Sequence, residues 1–316
     1  MGVQILRYYS KVFSLLFLFI ILCYCFFIVF IKEINLKNKI FEIQKNQSYK
    51  KIIESNIKDH KINLLIYTNI LKLITVNNTI IHHGKFRNIQ SNNFYNLINT
   101  ITSASNHFEK LTIIEGSSKN DLNILLKKNF KKFTEFEYNE IIADTYYFNY
   151  GSKFIDFKKK LTKNFLITKN KYNDHKLLNR FTFDQILIIG SLLEKEGLDA
   201  DDKKKIFSVI INRLNKNMRL QIDATVIYAI TEGKKKLSRK LTYNDLKINH
   251  EFNTYLIKGL PPKPISYVGI KTIEIIFENY TSEYLFYFFD IKKKKHIYSI
   301  NYKNHLKKLN EYKSKQ

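Results

Sequence analysis

The chain has 316 residues, 45% of them hydrophobic, with 9 Gly, 3 Pro, no Trp and a formal net charge of +25. Such a charge suits a nucleic-acid or anionic-surface binder, but Lys, Asn, Ile, Phe and Tyr are over-used together, as codons drift in a genome rich in A and T. The lysines therefore read as solvated surface, and with no nucleic-acid motif beside them, direct nucleic-acid binding is set aside.

Val12 to Ile31 (VFSLLFLFIILCYCFFIVFI) carries no charge over twenty residues. At about 1.5 Å per residue it covers about 30 Å, the hydrocarbon thickness of a bilayer. A cleavable signal peptide has a shorter apolar region and a small-residue site, and Phe30-Ile31-Lys32 supplies neither. The stretch predicts a retained transmembrane helix. Arg7 and Lys11 precede it while Lys32, Lys37 and Lys39 follow, so charge does not settle orientation. The short tail, residues 1–11, is easiest to leave in the cytoplasm, with the large C-terminal part outside. Cys23 and Cys25 both lie in the span on different helix faces, so they are no disulfide pair, and the exported part has no thiol. Leu6 stands where myristoylation needs Ser or Thr.

Residues 32–47 are charged and helical in pattern, and predict a stalk. Residues 48–110 carry short helix and strand signals (YKKIIESNI, NLLIYTNILKLITV, FYNLINTITSA) and make a small module with a modest core. His82 and His83 sit in the loop before Gly84; adjacent histidines rarely ligate together, and the other six have no metal-ligand spacing. No metal or cofactor is expected. LTIIEG from Leu111 reads as a strand ending in a turn, followed by a helix from Lys119. ADTYYFNYG, Ala143 to Gly151, reads as a turn and an aromatic strand, and a helix runs from Lys153 to about Leu166.

The stretch Phe183–Ala229 then places acids at the end of an apolar segment. From Ile186 to Leu193 only Gly190 and Ser191 interrupt Ile and Leu, which with EKE predicts a buried helix of about three turns stopping at Gly197. Glu196 shares a face with Ile189, Leu192 and Leu193, and Glu194 with Leu187, Gly190 and Ser191. Two residues apart is roughly 200° on a helix, so the two carboxylates cannot converge on one bond. A carboxyl group against an apolar wall keeps its proton near neutral pH, as a general acid on a glycosidic oxygen must. The face argument favours Glu196; the alternative is that both are solvated charges at a helix end, with no obvious second acid elsewhere. KKKLSRKL is a charged loop, and NTYLIKGLPPKPISYVG, Asn253 to Gly269, gathers all three prolines into a tight turn or loop. Glu283 to Asp290 alternates as a buried strand, with His296 to Tyr302 its hairpin partner. No internal repeat, phosphate loop, CxxC or serine nucleophile elbow appears.

The order SLLEKEG, SVIINRLNKNMRLQIDATVIYA, NTYLIKGLPPKPI and the two last strands, preceded by HHGKFR, IIEG and ADTYYF, resembles the endolytic murein transglycosylases, the MltG or YceG-like family. The resemblance runs from the membrane span to about Asn304. It implies an α+β chain: one N-terminal transmembrane helix, a small LysM-like α/β module and a mixed α+β catalytic domain over residues 111–316. It implies a single-pass protein of the bacterial inner (plasma) membrane, with its catalytic domain in the periplasm or outside, that cleaves nascent peptidoglycan glycan strands to 1,6-anhydro ends as a lyase. Peptidoglycan synthases and membrane lipid are the further partners it implies. It places the catalytic glutamate at the second Glu of EKE, Glu196, with Glu194 the alternative acid. Gln221, Asp223 and Asn253 would lie along the sugar chain, and Tyr228 and Tyr255 would pack on sugar faces. Asn212 and Arg213 read as braces. Ala143 and Ala224 stand where the family usually has Pro, and Lys294 and Lys295 where it usually has a Gly pair. A glycan-binding scaffold without catalysis and a muramidase-type hydrolase are the competing readings.

Overall fold

A computed structural model describes every residue except 1, 39, 45, 77–78, 87–92, 104–107, 150–151 and 315–316; Arg87, Tyr150 and Gly151 of the motifs above lie outside the described residues. The chain is a mixed α+β protein in two units, residues 1–109 with 147–152, and residues 110–146 with 153–316.

The first unit opens on α1 (Gly2–Phe26) and a π-helical turn, Phe27–Ile31. Apolar side chains such as Phe13, Leu16 and Phe19 are exposed along α1, and Arg7–Ile31 is long and apolar enough to cross a membrane. The last turn is different, because Ile28 is fully buried in the core of this unit. The helix expected over residues 32–47 is absent among the described residues. Residues 32–47 hold β1 (Asn35–Leu36) and β2 (Phe41–Ile43), and Ile34, Phe41 and Ile43 are buried. The physical reason is local: Phe41-Glu42-Ile43 alternates with period two, which suits a half-buried strand. After α2 (Tyr49–Asn56), capped by Ser48, β3 (Ile57–Lys58) pairs antiparallel with β1. NLLIYTNILKLITV then forms one helix, α3 (Lys61–Val76), since Asn63, Tyr67 and Leu71 recur every four residues and are buried. Next come β4 (Gly84–Phe86), antiparallel to β2, and α4 (Phe94–Thr102). Lys32 ties the end of the apolar run to Asp59 at 2.6 Å.

The second unit begins within β5 (Phe108–Thr112) and contains α5 (Lys119–Asn129), part of β6 (Thr145–Asn149), which pairs with β5, and α6 (Phe154–Asn170). α7 (Phe183–Glu196) starts at a capping box of Thr182 and Gln185 and stops at Gly197, and it packs on α8 (Ala200–Asn215), α9 (Asp223–Thr231) and α10 (Ile270–Phe277). β7 (Phe286–Asp290) and β8 (Lys295–Ser299) form the expected antiparallel hairpin, with Tyr287 opposite Tyr298 and Phe289 opposite His296, before α11 (Tyr302–Lys313). Lys294 takes a φ of 49° in the hairpin turn, a region that favours glycine.

The interruptions in α7 are explained by the segment packed against it, residues 265–269. A Cβ on Gly190 would stand 2.7 Å from Val268, so only glycine permits this approach. Ser191 Oγ accepts the Ile265 N–H at 3.0 Å, and the Ser266 hydroxyl donates to Ser191 O at 3.2 Å. With Ala143 N–H bonded to Val268 O and Gly116 N–H to Tyr267 O, the proline-rich stretch ends as a buried extended segment whose backbone is paired, as burial requires.

Candidate active site

The Glu194 side chain is drawn off the surface, and Glu196 is half-buried. The alternative of solvated charges at a helix end is corrected for Glu194. Its side chain is 3% exposed, its Oε2 lies 2.6 Å from Lys203 Nζ, and its Oε1 accepts the Gly269 N–H at 3.0 Å. The cause is that α7 has no solvent face from Ile186 to Leu193: Leu187, Ile188, Gly190 and Ser191 are buried along with Ile189, Leu192 and Leu193. A helix apolar all round is buried, so an apolar wall does not separate the two acids. Their partners do. Glu194 is matched by a cation and an N–H, and it borders a groove with Glu115, Asp144 and Lys203.

Glu196 has no lysine or arginine paired with it among the described residues. Its Oε2 accepts the Tyr287 hydroxyl at 3.3 Å, and the Ala224 N–H at the start of α9 also favours its charged form. Burial holds the carboxyl above its ordinary range, and the Asp223 charge adds to this; Tyr287, His296 and the Ala224 N–H oppose them without cancelling them. A shift in this direction favours the protonated form, the one a general acid needs.

The turn before α9 brings Asp223 to this place. Gln221 takes a φ of 52°, its N–H bonds Thr254 O at 3.1 Å, and the Ile222 N–H bonds Thr254 Oγ1 at 3.0 Å. Tyr255 then donates its hydroxyl to Asp223 Oδ1 at 2.5 Å. Asp223 is exposed and Tyr255 half-buried, and both act on the Glu196 site; Gln221 is exposed in the same turn. A second carboxylate therefore stands near Glu196, which the sequence did not reveal. Asn253 is fully buried and donates to Leu246 O and Ile248 O at 3.0 and 2.8 Å, so it braces a loop rather than facing a ligand. Tyr228 lies at the far end of α9, packed on Tyr138 and Phe252, and lines a separate cavity of about 530 Å³.

Three groups at the site escaped the sequence reading: Tyr287, His296 and Asp202. His296 is 6% exposed and its Nδ1 lies 2.8 Å from Asp202 Oδ2, while the Tyr298 hydroxyl donates to Asp202 Oδ1 at 2.6 Å. Burial works to raise the Asp202 carboxyl, but the bonds from His296, Tyr298 and the Leu198 N–H outweigh it and hold it low. The His296 ring meets the Tyr287 ring edge-on at 5.3 Å. Asn212 and Arg213 are the braces: Asn212 donates to Ser282 O and Tyr284 O, and Arg213 donates to Leu285 O and Leu220 O, each at 2.7–2.9 Å. They bind α8 to the approach to β7 and to the turn carrying Asp223.

A model of the YceG-like family matches residues 41–311. A Bacillus subtilis (strain 168) protein named endolytic murein transglycosylase is 40% identical over 119 residues, covering 38% of this chain and 29% of that protein. A Streptococcus pneumoniae (serotype 2, strain D39) protein of the same name is 32% identical over 134 residues, covering 42% of this chain and 24% of that protein. The match thus spans less than a third of either relative's length. A crystal structure of a putative yceG-like protein from Listeria monocytogenes shares the fold, with a TM-score of 0.52 at 24% identity over 86% of this chain and 99% of that one.

Proposed function

The chain belongs to the YceG-like family, matched over residues 41–311, and from that premise and the half-buried Glu196 we propose that it is a membrane-anchored endolytic murein transglycosylase. Its substrate is the peptidoglycan glycan strand, cut at the bond between an N-acetylmuramic acid and the following N-acetylglucosamine. One observation carries the reading: a carboxyl that accepts the Tyr287 hydroxyl, has no lysine or arginine paired with it among the described residues, and is held above its ordinary range by burial.

In this mechanism Glu196 gives its proton to the glycosidic oxygen as the bond from C1 breaks, and the N-acetylglucosamine leaves as an alcohol. The 2-acetamido group of the muramic acid assists at C1, as in substrate-assisted glycosidases. The Glu196 carboxylate then takes the proton of the C6 hydroxyl while O6 closes on C1. The product is a 1,6-anhydro ring, no water is consumed, and the proton is back on Glu196. The carboxylate form is supported meanwhile by the Tyr287 hydroxyl and by the Ala224 N–H, one of the orphan donors of a helix N-terminus. Gln221, Asp223 and Tyr255 meet the sugar chain.

Asp223 favours a second reading, a muramidase in which this carboxylate directs water onto C1. The product separates the two. Full-length protein in detergent is expected to cut uncrosslinked strands internally and leave 1,6-anhydromuramic ends by mass spectrometry; reducing ends would assign a hydrolase, and uncut strands a binding scaffold.

We further propose that α1 anchors the protein in the plasma membrane, residues 1–11 inside, with residues 48–110 serving as a LysM-like module and residues 111–316 as the catalytic domain. The twenty-residue uncharged run and the exposed apolar side chains of α1 support this. Protease added to spheroplasts is expected to digest the large domain, and its protection would reverse the topology.

A further inference from the structure

We propose that the small module binds lipid in its own right: the outward face of α3 lies in the head-group layer of the bilayer that α1 crosses. The proposal rests on α1 being the membrane span, and it goes beyond that by assigning a second lipid contact, which an anchor alone does not require.

The sequence of α3, KINLLIYTNILKLITV, contains no acid, and Asn63, Tyr67 and Leu71 form its buried face. At about 100° per residue, Ile62, Leu65, Leu73 and Val76 stand on the opposite face, and all four are exposed. Lys61 and Lys72, exposed as well, flank them on one side. A surface helix of a water-borne domain turns polar residues outward, so four large aliphatic side chains there suit a different neighbour. The 16 residues of α3 at about 1.5 Å each cover about 24 Å, short of a bilayer core. Such a helix lies on a membrane rather than across it, its lysines at the level of the lipid phosphates.

Side-chain bonds tie this helix to the span. The Tyr24 hydroxyl donates to Asn63 Oδ1 at 2.9 Å, and Lys32 Nζ bonds the two oxygens of Asp59 at 2.7 and 2.6 Å. Asn63 donates in turn to Asp59 at 2.9 Å, which joins the two attachments into one cluster. Tyr24 comes two turns before Ile31, about 10 Å into the apolar run, with its hydroxyl turned toward the polar layer as amphipathic side chains are. The first turn of α3 is therefore held level with the outer end of the span. Its inward face is taken by the core that Ile28 joins, so its outward face meets what surrounds the span at that level, which is lipid. Exposed aromatic rings mark the same level: Phe30 and Tyr95 stand 5.1 Å apart, as rings gather at a membrane surface.

The chain has no Trp, so a single introduced Trp reports on one place. Full-length Leu65→Trp, Leu73→Trp and Phe19→Trp are each reconstituted into vesicles of phosphatidylethanolamine and phosphatidylglycerol. The acyl chains carry bromine, a contact quencher, either near the head group or near the chain end. All three native side chains are exposed, so the substitutions disturb no core. Leu65→Trp and Leu73→Trp are expected to lose most of their emission to the shallow bromines and little to the deep ones. Phe19→Trp, inside the span, is expected to lose most of its emission to the deep ones. Quenching of Phe19→Trp with none at Leu65→Trp or Leu73→Trp overturns the proposal and leaves the span intact. Quenching of none of the three removes the span, and the proposal with it. Emission from Leu65→Trp that neither bromine nor aqueous acrylamide quenches would give this face to a second copy or another protein, and that also overturns the proposal.

Discussion

Glu196→Gln is expected to bind glycan strands and leave them uncut. Glutamine keeps the shape of the side chain and can still accept the Tyr287 hydroxyl, now bonded at 3.3 Å, but it has no proton to give. General acid–base help is worth roughly 10²–10⁴-fold, and here the same group acts in both steps, so the loss in kcat should be at least of that order with KM little changed. Stability is expected to move the other way. Burial holds the Glu196 carboxyl above its ordinary range, so the wild-type fold is favoured while the group is protonated and loses that advantage as pH rises through the folded value. The glutamine variant has no charge to bury and should be no less stable than wild type in alkaline buffer. Near-wild-type cutting by a folded Glu196→Gln would remove this residue from the chemistry, whatever the product.

What could be read from the sequence was local. α7 with its stop at Gly197, the β7–β8 hairpin and the start of α5 are set by periodicity and caps within a few residues of themselves. The stalk failed because strands of two and three residues leave almost no pattern, and charged neighbours outvoted Phe41 and Ile43. Gly190 and Ser191 looked like blemishes in an apolar run, yet one makes room for Val268 and the other satisfies the Ile265 N–H. Both reasons are tertiary. The sequence singled out Glu196 but not the groups that surround it. Tyr287 meets Glu196 across 91 residues of chain and His296 meets Asp202 across 94, and no spacing rule reaches so far. Asp223 was singled out as a sugar contact, but its placement beside Glu196 depends on Tyr255 and Thr254 returning to the turn before α9.

Lys203→Met is expected to cost the fold more than any change at the acid itself. Glu194 is 3% exposed, its Oε2 is 2.6 Å from Lys203 Nζ, and that ammonium also donates to Thr272 Oγ1 at 2.8 Å. Removing the cation leaves a buried carboxylate with only the Gly269 N–H to answer it, and breaking a buried pair in this way costs about 3–5 kcal/mol. Glu194→Gln should cost less, because the amide oxygen still accepts the Gly269 N–H. The lysine left behind, 12% exposed, can also carry its charge toward water along its flexible stem. The double variant should therefore be more stable than the two single losses predict, the sign of direct coupling between neighbours. Urea midpoints of the four proteins measure this, and equal costs for Lys203→Met and Glu194→Gln would mean the pair is solvated. The same set also decides between the two acids. Folded Glu194→Gln is expected to keep cutting strands, since none of the groups around Glu196 is altered; a stable Glu194→Gln that no longer cuts would transfer the acid to Glu194 and to the groove it shares with Glu115.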